Sequence, residues 1–157
     1  MEKFDRYDRI LLQALQEQGR ASNVELSDKV NLSAPQCYRR VRRLETEGVI
    51  RGYAAQVVPA AVGLGVVAFV SLSIDREQVK KVRELEKAIR IFPEILECYT
   101  ISGDFDYLLK VVATDLKSFS NFLTDRLMQV PGVAGVRSMI CLEEIKPASP
   151  LPVGHAD

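Results

Sequence analysis

A chain of 157 residues, 47% hydrophobic and 27% charged, has room for one domain or two small ones and the composition of an ordinary globular protein. Its 21 basic residues balance its 21 acidic ones, which excludes a uniformly basic nucleic-acid-binding chain. The charges are not evenly spread, however: Gln36 to Arg51 holds five arginines against Glu45 and Glu47 alone.

The three cysteines, Cys37, Cys98 and Cys141, are widely spaced and form no CxxC, which argues against a disulfide framework or a zinc site and for a reducing cytoplasm. No basic segment followed by an apolar one precedes the first helix, so no signal peptide is expected. The longest apolar run, Val57 to Val70, is interrupted by Pro59, Gly63 and Gly65 and is too short to span a bilayer.

In chain order, Asp8 to Gln18 places Ile10, Leu11, Ala14 and Leu15 on one helical face, and Gly19 stops the helix. Ser22 or Asn23 caps a short second helix with Val24, Leu26 and Val30 facing inward. Asn31 falls where a tight helix–helix turn needs a left-handed residue, a conformation Asn tolerates. Ser33 and Gln36 fit the capping box of a third helix, which Gly48 ends.

That third helix has separable faces. Cys37, Val41 and Leu44 form its buried stripe; at about 100° per residue Arg39 points nearly opposite, flanked by Pro35, Gln36, Arg42 and Arg43, with Arg40 nearer the boundary. Val49 to Val57 reads as a strand pair or wing carrying Arg51. Three short helices followed by a wing make a winged helix-turn-helix over residues 1–57. In such a domain the third helix enters a DNA groove. Ser33 and Pro35 lie at its entry, Gln36 is suited to adenine, and Arg39 or Arg40 to guanine. Arg42, Arg43 and Arg51 are placed for phosphates.

Residues 58–65, with Pro59, Gly63 and Gly65, read as a hinge. The period then changes. Val66 to Ile74 is a strand; Asp75 with Gln78 caps a helix carrying Val79, Val82, Leu85 and Ile89; Ile95 to Ser102 is a second strand. After the turn Gly103-Asp104-Phe105-Asp106 come a third strand, Tyr107 to Ala113, and a helix capped by Thr114 or Asp115. That helix carries Leu116, Phe119, Phe122, Leu123 and Leu127 inward, Pro131-Gly132 stops it, and Val136 to Glu143 is the fourth strand. This βαββαβ order over residues 66–146 is the ferredoxin-like split, giving an α+β chain. Val67, Phe69, Leu108, Val112, Met139 and Cys141 alternate onto the sheet face without helices, and an apolar face of that kind implies a homodimer. Residues 147–157, with the only histidine, His155, are expected to be extended or partly disordered.

Several stretches together resemble the Lrp/AsnC (leucine-responsive regulatory protein, feast/famine) transcription regulators over about Asp5 to Lys146. They are DRYDRILLQALQEQGRASNVELS, VNLS, YRRVRRLETEGVIRGY, ECYTISGDFDYLLKV, VPGV and LEEIK. The resemblance implies a head that binds double-stranded DNA and a second domain, the ACT-like RAM domain, that binds a small effector, often an amino acid. It further implies dimers assembling to an octamer, a nucleoid-associated place in the cytoplasm, and no cofactor or metal. By the same resemblance the effector site lies at the glycine-acidic turn, here Thr100, Gly103, Asp104, Asp106 and Tyr107. Two positions depart from the common pattern: Gln36, where a smaller residue or proline is frequent, and Asn31, where Gly is frequent.

An enzyme has little to work with. No His is available in the core for a Ser–His or Cys–His pair, no Walker A or dinucleotide glycine fingerprint occurs, and Glu143 and Glu144 point to opposite faces. The remaining alternative is an ACT-like ligand-sensing module whose helical domain binds protein rather than DNA.

Overall fold

A computed structural model describes residues 4–75 and 79–153. Gln78 and His155 lie outside the described residues, as does the side chain of Val79. The chain forms two compact units: residues up to 56 together with those from 146 onward, and residues 57–145.

The first unit is built on three helices, each started by a polar cap. Helix α1 (Arg6–Glu17) begins at Asp5, whose carboxylate accepts the Asp8 N–H at 2.9 Å while Asp8 Oδ2 accepts the Asp5 N–H at 3.3 Å. Helix α2 (Asn23–Val30) repeats the device with Ser22 and Glu25 and ends at Asn31, which takes the left-handed conformation at φ 54°, ψ 47°. Helix α3 (Ala34–Thr46) starts at Ser33. Leu11, Ala14, Leu15, Leu26, Val30, Cys37 and Val41 bury one stripe from each helix in a common core, with Ile50 packed against it. Val24 is a correction to the sequence reading. It sits two residues, about 200°, from Leu26 on an eight-residue helix with one buried stripe, and is 63% exposed.

Past α3, the N–H groups of Val49 and Ile50 both donate to Leu44 O, closing the helix at Gly48. The expected wing strands are absent among the described residues: Arg51 to Val58 has no regular structure, and Val57 and Val58 stay exposed. Alternating apolar residues make a strand only where a second strand satisfies the ladder, and none pairs here. Residues 58–65 contain local structure. Pro59–Val62 form a 3-10 turn ended by Gly63 at φ 81°, and the Gly65 N–H donates to Thr114 O at 3.2 Å.

The second unit is a four-stranded antiparallel sheet of β1 (Val66–Ile74), β2 (Ile95–Thr100), β3 (Tyr107–Ala113) and β4 (Val133–Ile140), in the order β2-β3-β1-β4. Helices α4 (Val79–Ile91) and α5 (Leu116–Asn121) cover one face. Their Leu85, Ile89 and Phe119 meet Ala68, Val70, Leu72, Leu109 and Val111 from the central strands. Strand β4 begins and ends three residues earlier than its apolar pattern suggested. Pairing with β1 runs from Ile74↔Val133 to Ala68↔Ile140, and Leu142 beyond it is 97% exposed. Leu116, expected inward, is 60% exposed at the first position of α5. Phe122 and Leu127 are both buried although five residues apart, about 140° in an α-helix. The π turn Phe122–Arg126 between them supplies the i→i+5 spacing that aligns them.

On the sheet face without helices, Ser71 and Val112 are buried by their neighbours, while Phe69 and Met139, directly paired across β1 and β4, and Tyr99 remain exposed. The tail from Lys146 to Val153 is extended as expected but packed: both the N–H and the C=O of Leu151 hydrogen-bond the Gln16 carboxamide on α1.

Candidate functional site

On α3, Ser33, Pro35, Gln36, Arg39 and Arg42 are all exposed, as is Arg51 beyond the helix. Gln36 reaches back to its own helix start: its Oε1 accepts the Ser33 N–H and the Ser33 hydroxyl, each at 3.0 Å. Arg42 pairs with Glu45 at 3.1 Å. Arg39 makes no ion pair with any described residue.

The other two arginines point elsewhere. Arg40 Nη1 donates to Asp5 Oδ2 and Asp8 Oδ1, both at 2.8 Å, and its guanidinium lies 5.3 Å from the centre of the Tyr7 ring. Arg43 Nη2 donates to Asp8 Oδ2 at 2.5 Å. The Asp8 side chain is 2% exposed. Burial alone would raise the Asp5 carboxyl, but the Asp8 N–H and the Arg40 guanidinium hold it below its usual value. Burial likewise works against the charge on Arg40, and hydrogen bonds to Asp8 and Asp5 outweigh it, leaving its pKa raised. Of these groups only Asp8 is buried; the side chains of Arg40 and Arg43 are 27% and 45% exposed, so each pair joins a buried acid to a partly solvated arginine.

Sequence reasoning put Arg40 and Arg43 with the groove-facing residues and did not single out Asp5, Asp8 or Tyr38. Tyr38 is 52% exposed on the flank of α3 beside Arg42, and the 100° spacing was signal enough to find it. Asp5 and Asp8 carried no such signal, because their partners are 32 to 35 residues away.

In the second unit, the turn after β2 is anchored by Asp106. Its N–H donates to Leu72 O at 2.8 Å, its carboxylate accepts the Ile74 N–H at 2.9 Å, and its carbonyl accepts the Ile101 N–H at 3.0 Å. Asp106 therefore ties the turn to the end of β1. Tyr107 is buried, and its hydroxyl donates to Glu86 Oε1 on α4 at 3.0 Å; burial and that carboxylate push its pKa up to about 12. Thr100, Gly103 and Asp104 are exposed together, with Gly103 at φ 122° and nothing within 4 Å of where a Cβ would stand. Arg137 adds a cation over the Phe105 ring at 5.0 Å, a residue the sequence did not single out. Among the described residues no group of three His, Cys, Asp or Glu side chains is placed to hold a metal ion, and no helix is long and apolar enough to cross a membrane.

Comparison with known proteins accounts for both units. Residues 4–51 match the winged helix-turn-helix DNA-binding family model, and residues 67–151 match the Lrp/AsnC ligand binding domain. The chain is 40% identical to the leucine-responsive regulatory proteins of Klebsiella pneumoniae and Escherichia coli over 149 residues, 95% of this chain and 91% of theirs. The solved L-Met complex of a transcriptional regulator from Neisseria meningitidis superposes with a TM-score of 0.92 at 40% identity, covering 98% of this chain and 99% of that one. An AsnC family regulator from Agrobacterium tumefaciens gives 0.88 at 35% identity, covering 96% and 97%. Helical head, split βαββαβ sheet and end-to-end similarity converge: the chain belongs to the Lrp/AsnC family of DNA-binding transcription regulators, not to a family of enzymes.

Proposed function

We propose that this regulator reads DNA with α3 and senses an amino acid at the turn between β2 and β3, and that the amino acid acts by changing how dimers assemble. Gln36 and Arg39 face base edges, while Arg42 and Arg51 face phosphates, at the two kinds of contact a recognition helix makes. Ser33 and Pro35 set its entry. The observation that carries the sensing half is the exposed trio Thr100, Gly103 and Asp104 on a turn held rigid by Asp106. Backbone N–H groups at Gly103 and Asp104 suit a carboxylate, and the Asp104 side chain suits an ammonium. The L-Met bound by the Neisseria meningitidis regulator supports an amino acid as the ligand class.

Dimerisation through Phe69 and Met139 brings two heads together, and assembly to an octamer multiplies them, which lets a chain without net charge hold DNA. An effector shifts that assembly only by binding one state better than another. The test is isothermal titration with each proteinogenic amino acid, followed by sedimentation with and without any that binds. Heat from at least one, with a change of mass, is expected. Silence from all of them removes the sensing half, and binding without a change in mass removes the assembly mechanism.

A further inference from the structure

The recognition helix carries four arginines, yet the carboxylates of α1 hold two of them. At about 100° per residue, Arg40 and Arg43, about one and two turns past Gln36 at the helix entry, lie on the flank of α3 toward the start of α1, whereas Arg39 and Arg42 lie with Pro35 and Thr46 opposite the buried stripe. All four carboxylate oxygens at the start of α1 are assigned. Asp5 Oδ1 caps the Asp8 N–H and Asp5 Oδ2 takes Arg40; Asp8 Oδ1 takes Arg40, and Asp8 Oδ2 takes Arg43 with the Asp5 N–H. The helix cap and the arginine cradle are thus one structure.

We infer that Asp8 is the positioning residue of the recognition helix: it withdraws Arg40 and Arg43 from the DNA face, fixes the rotation of α3 about its axis, and leaves Arg39 and Arg42 as that helix's DNA-facing cations. The inference rests on the DNA-reading role given to α3 above. The energetic ground is the burial of Asp8, whose side chain is 2% exposed. Moving either arginine to a phosphate would leave the buried Asp8 carboxylate with one cation in place of two, a loss that a solvent-exposed phosphate contact does not repay. Arg40 is doubly committed, since the Tyr7 ring lies beside its guanidinium.

The test uses the full chain and a random-sequence duplex, where only phosphate contacts contribute. Binding is measured between about 50 and 200 mM salt, with Tm in parallel. Arg42→Gln, at the exposed arginine given to a phosphate, is expected to flatten the salt slope by about one per head with Tm little changed. Arg40→Gln and Arg43→Gln are expected to lower Tm and leave the slope alone. Asp8→Asn frees Arg43 and leaves Arg40 with Asp5 alone, so it is expected to tighten non-specific binding and steepen the slope by about one to two per head. Asp8→Asn/Arg40→Gln/Arg43→Gln then returns to the wild-type slope. A residue with only a structural role would weaken binding on loss, never strengthen it. The inference is overturned by slopes that flatten in Arg40→Gln or Arg43→Gln at unchanged Tm, or by a folded Asp8→Asn chain whose slope does not steepen. Should Asp8→Asn not fold, the two single arginine variants decide. A wild-type chain that leaves the duplex unshifted at the lowest salt overturns the DNA-reading role itself, and the inference with it.

Discussion

The Gln36 carboxamide oxygen accepts the Ser33 backbone N–H at 3.0 Å, so a side chain suited to reading a base also closes the first turn of its own helix. The Ser33 hydroxyl donates to the same oxygen, leaving the NH2 group as the part of Gln36 that faces outward. A bidentate grip on adenine needs both ends of the amide. In this conformation Gln36 offers a donor alone, which suits acceptor atoms at base edges.

The two roles separate in mutants. Gln36→Glu keeps the capping oxygen and adds a charge favoured at a helix start, so its Tm is expected to match or exceed the wild type while DNA affinity falls through repulsion from phosphates. Gln36→Ala loses both roles, costing about 0.5–1 kcal/mol of stability and the preference at one base. Equal Tm losses in the two variants would show that the cap is not what Gln36 contributes.

Tyr107 supplies an alkaline signature. Its phenol is buried against Glu86, and its pKa in the folded chain is about 12 against 10 for an ordinary tyrosine, so the folded state holds the proton longer. The associated stability is complete below about pH 10 and disappears between about pH 10 and 12, a loss of about 2–3 kcal/mol. Tyr107→Phe should remove that loss and cost about 1 kcal/mol at neutral pH. Chemical denaturation of both proteins from pH 8 upward, at about one-step intervals, reads the difference. Parallel curves would refute the assignment.

Two glycines differ in how a methyl group would be received. A Cβ at Gly65 would stand 2.8 Å from the backbone oxygen of Thr114, while one at Gly135 would stand 2.6 Å from the Ser73 hydroxyl. A side chain can be moved or removed; a backbone carbonyl that already accepts the Gly65 N–H cannot. Gly65→Ala is therefore expected to cost more than Gly135→Ala, with both in the range of about 1–3 kcal/mol. Ser73→Ala should cancel most of the Gly135→Ala penalty. Urea midpoints of the three single variants and the Gly135→Ala/Ser73→Ala double variant check this, and a double variant no better than Gly135→Ala alone contradicts it.

Phe69 and Met139 face each other across β1 and β4 on the open side of the sheet, 36% and 50% exposed. Phe69→Glu places a charge in the centre of that patch. In the dimer proposed above this charge falls at the interface, so sedimentation should give a lower mass for this variant than for the wild type at equal concentration, with little change in Tm per chain. A Phe69→Glu protein that still sediments as a dimer would move the interface elsewhere.

What was legible in the sequence is what local chemistry decides. Ser22 with Glu25 and the left-handed Asn31 follow from capping and turn preferences within a few residues, and the buried stripe Cys37, Val41 and Leu44 follows from the helical period. Errors arose where a distant partner decides. Val49 to Val57 reads as a strand pair or wing, but no second strand meets it among the described residues. The limits of β4 follow from its register with β1 rather than from its own apolar run. For the candidate site, helical phase showed that Arg39 faces outward, but not that Asp5 and Asp8 hold Arg40.

Gln16 and Leu151 are 135 residues apart in sequence, and the carboxamide of one brackets the peptide group of the other. Leu151 follows the last strand of the sheet in sequence, so the Gln16 carboxamide has no such partner until that strand has been synthesised. The head thus acquires its finished surface only after the second unit has been synthesised.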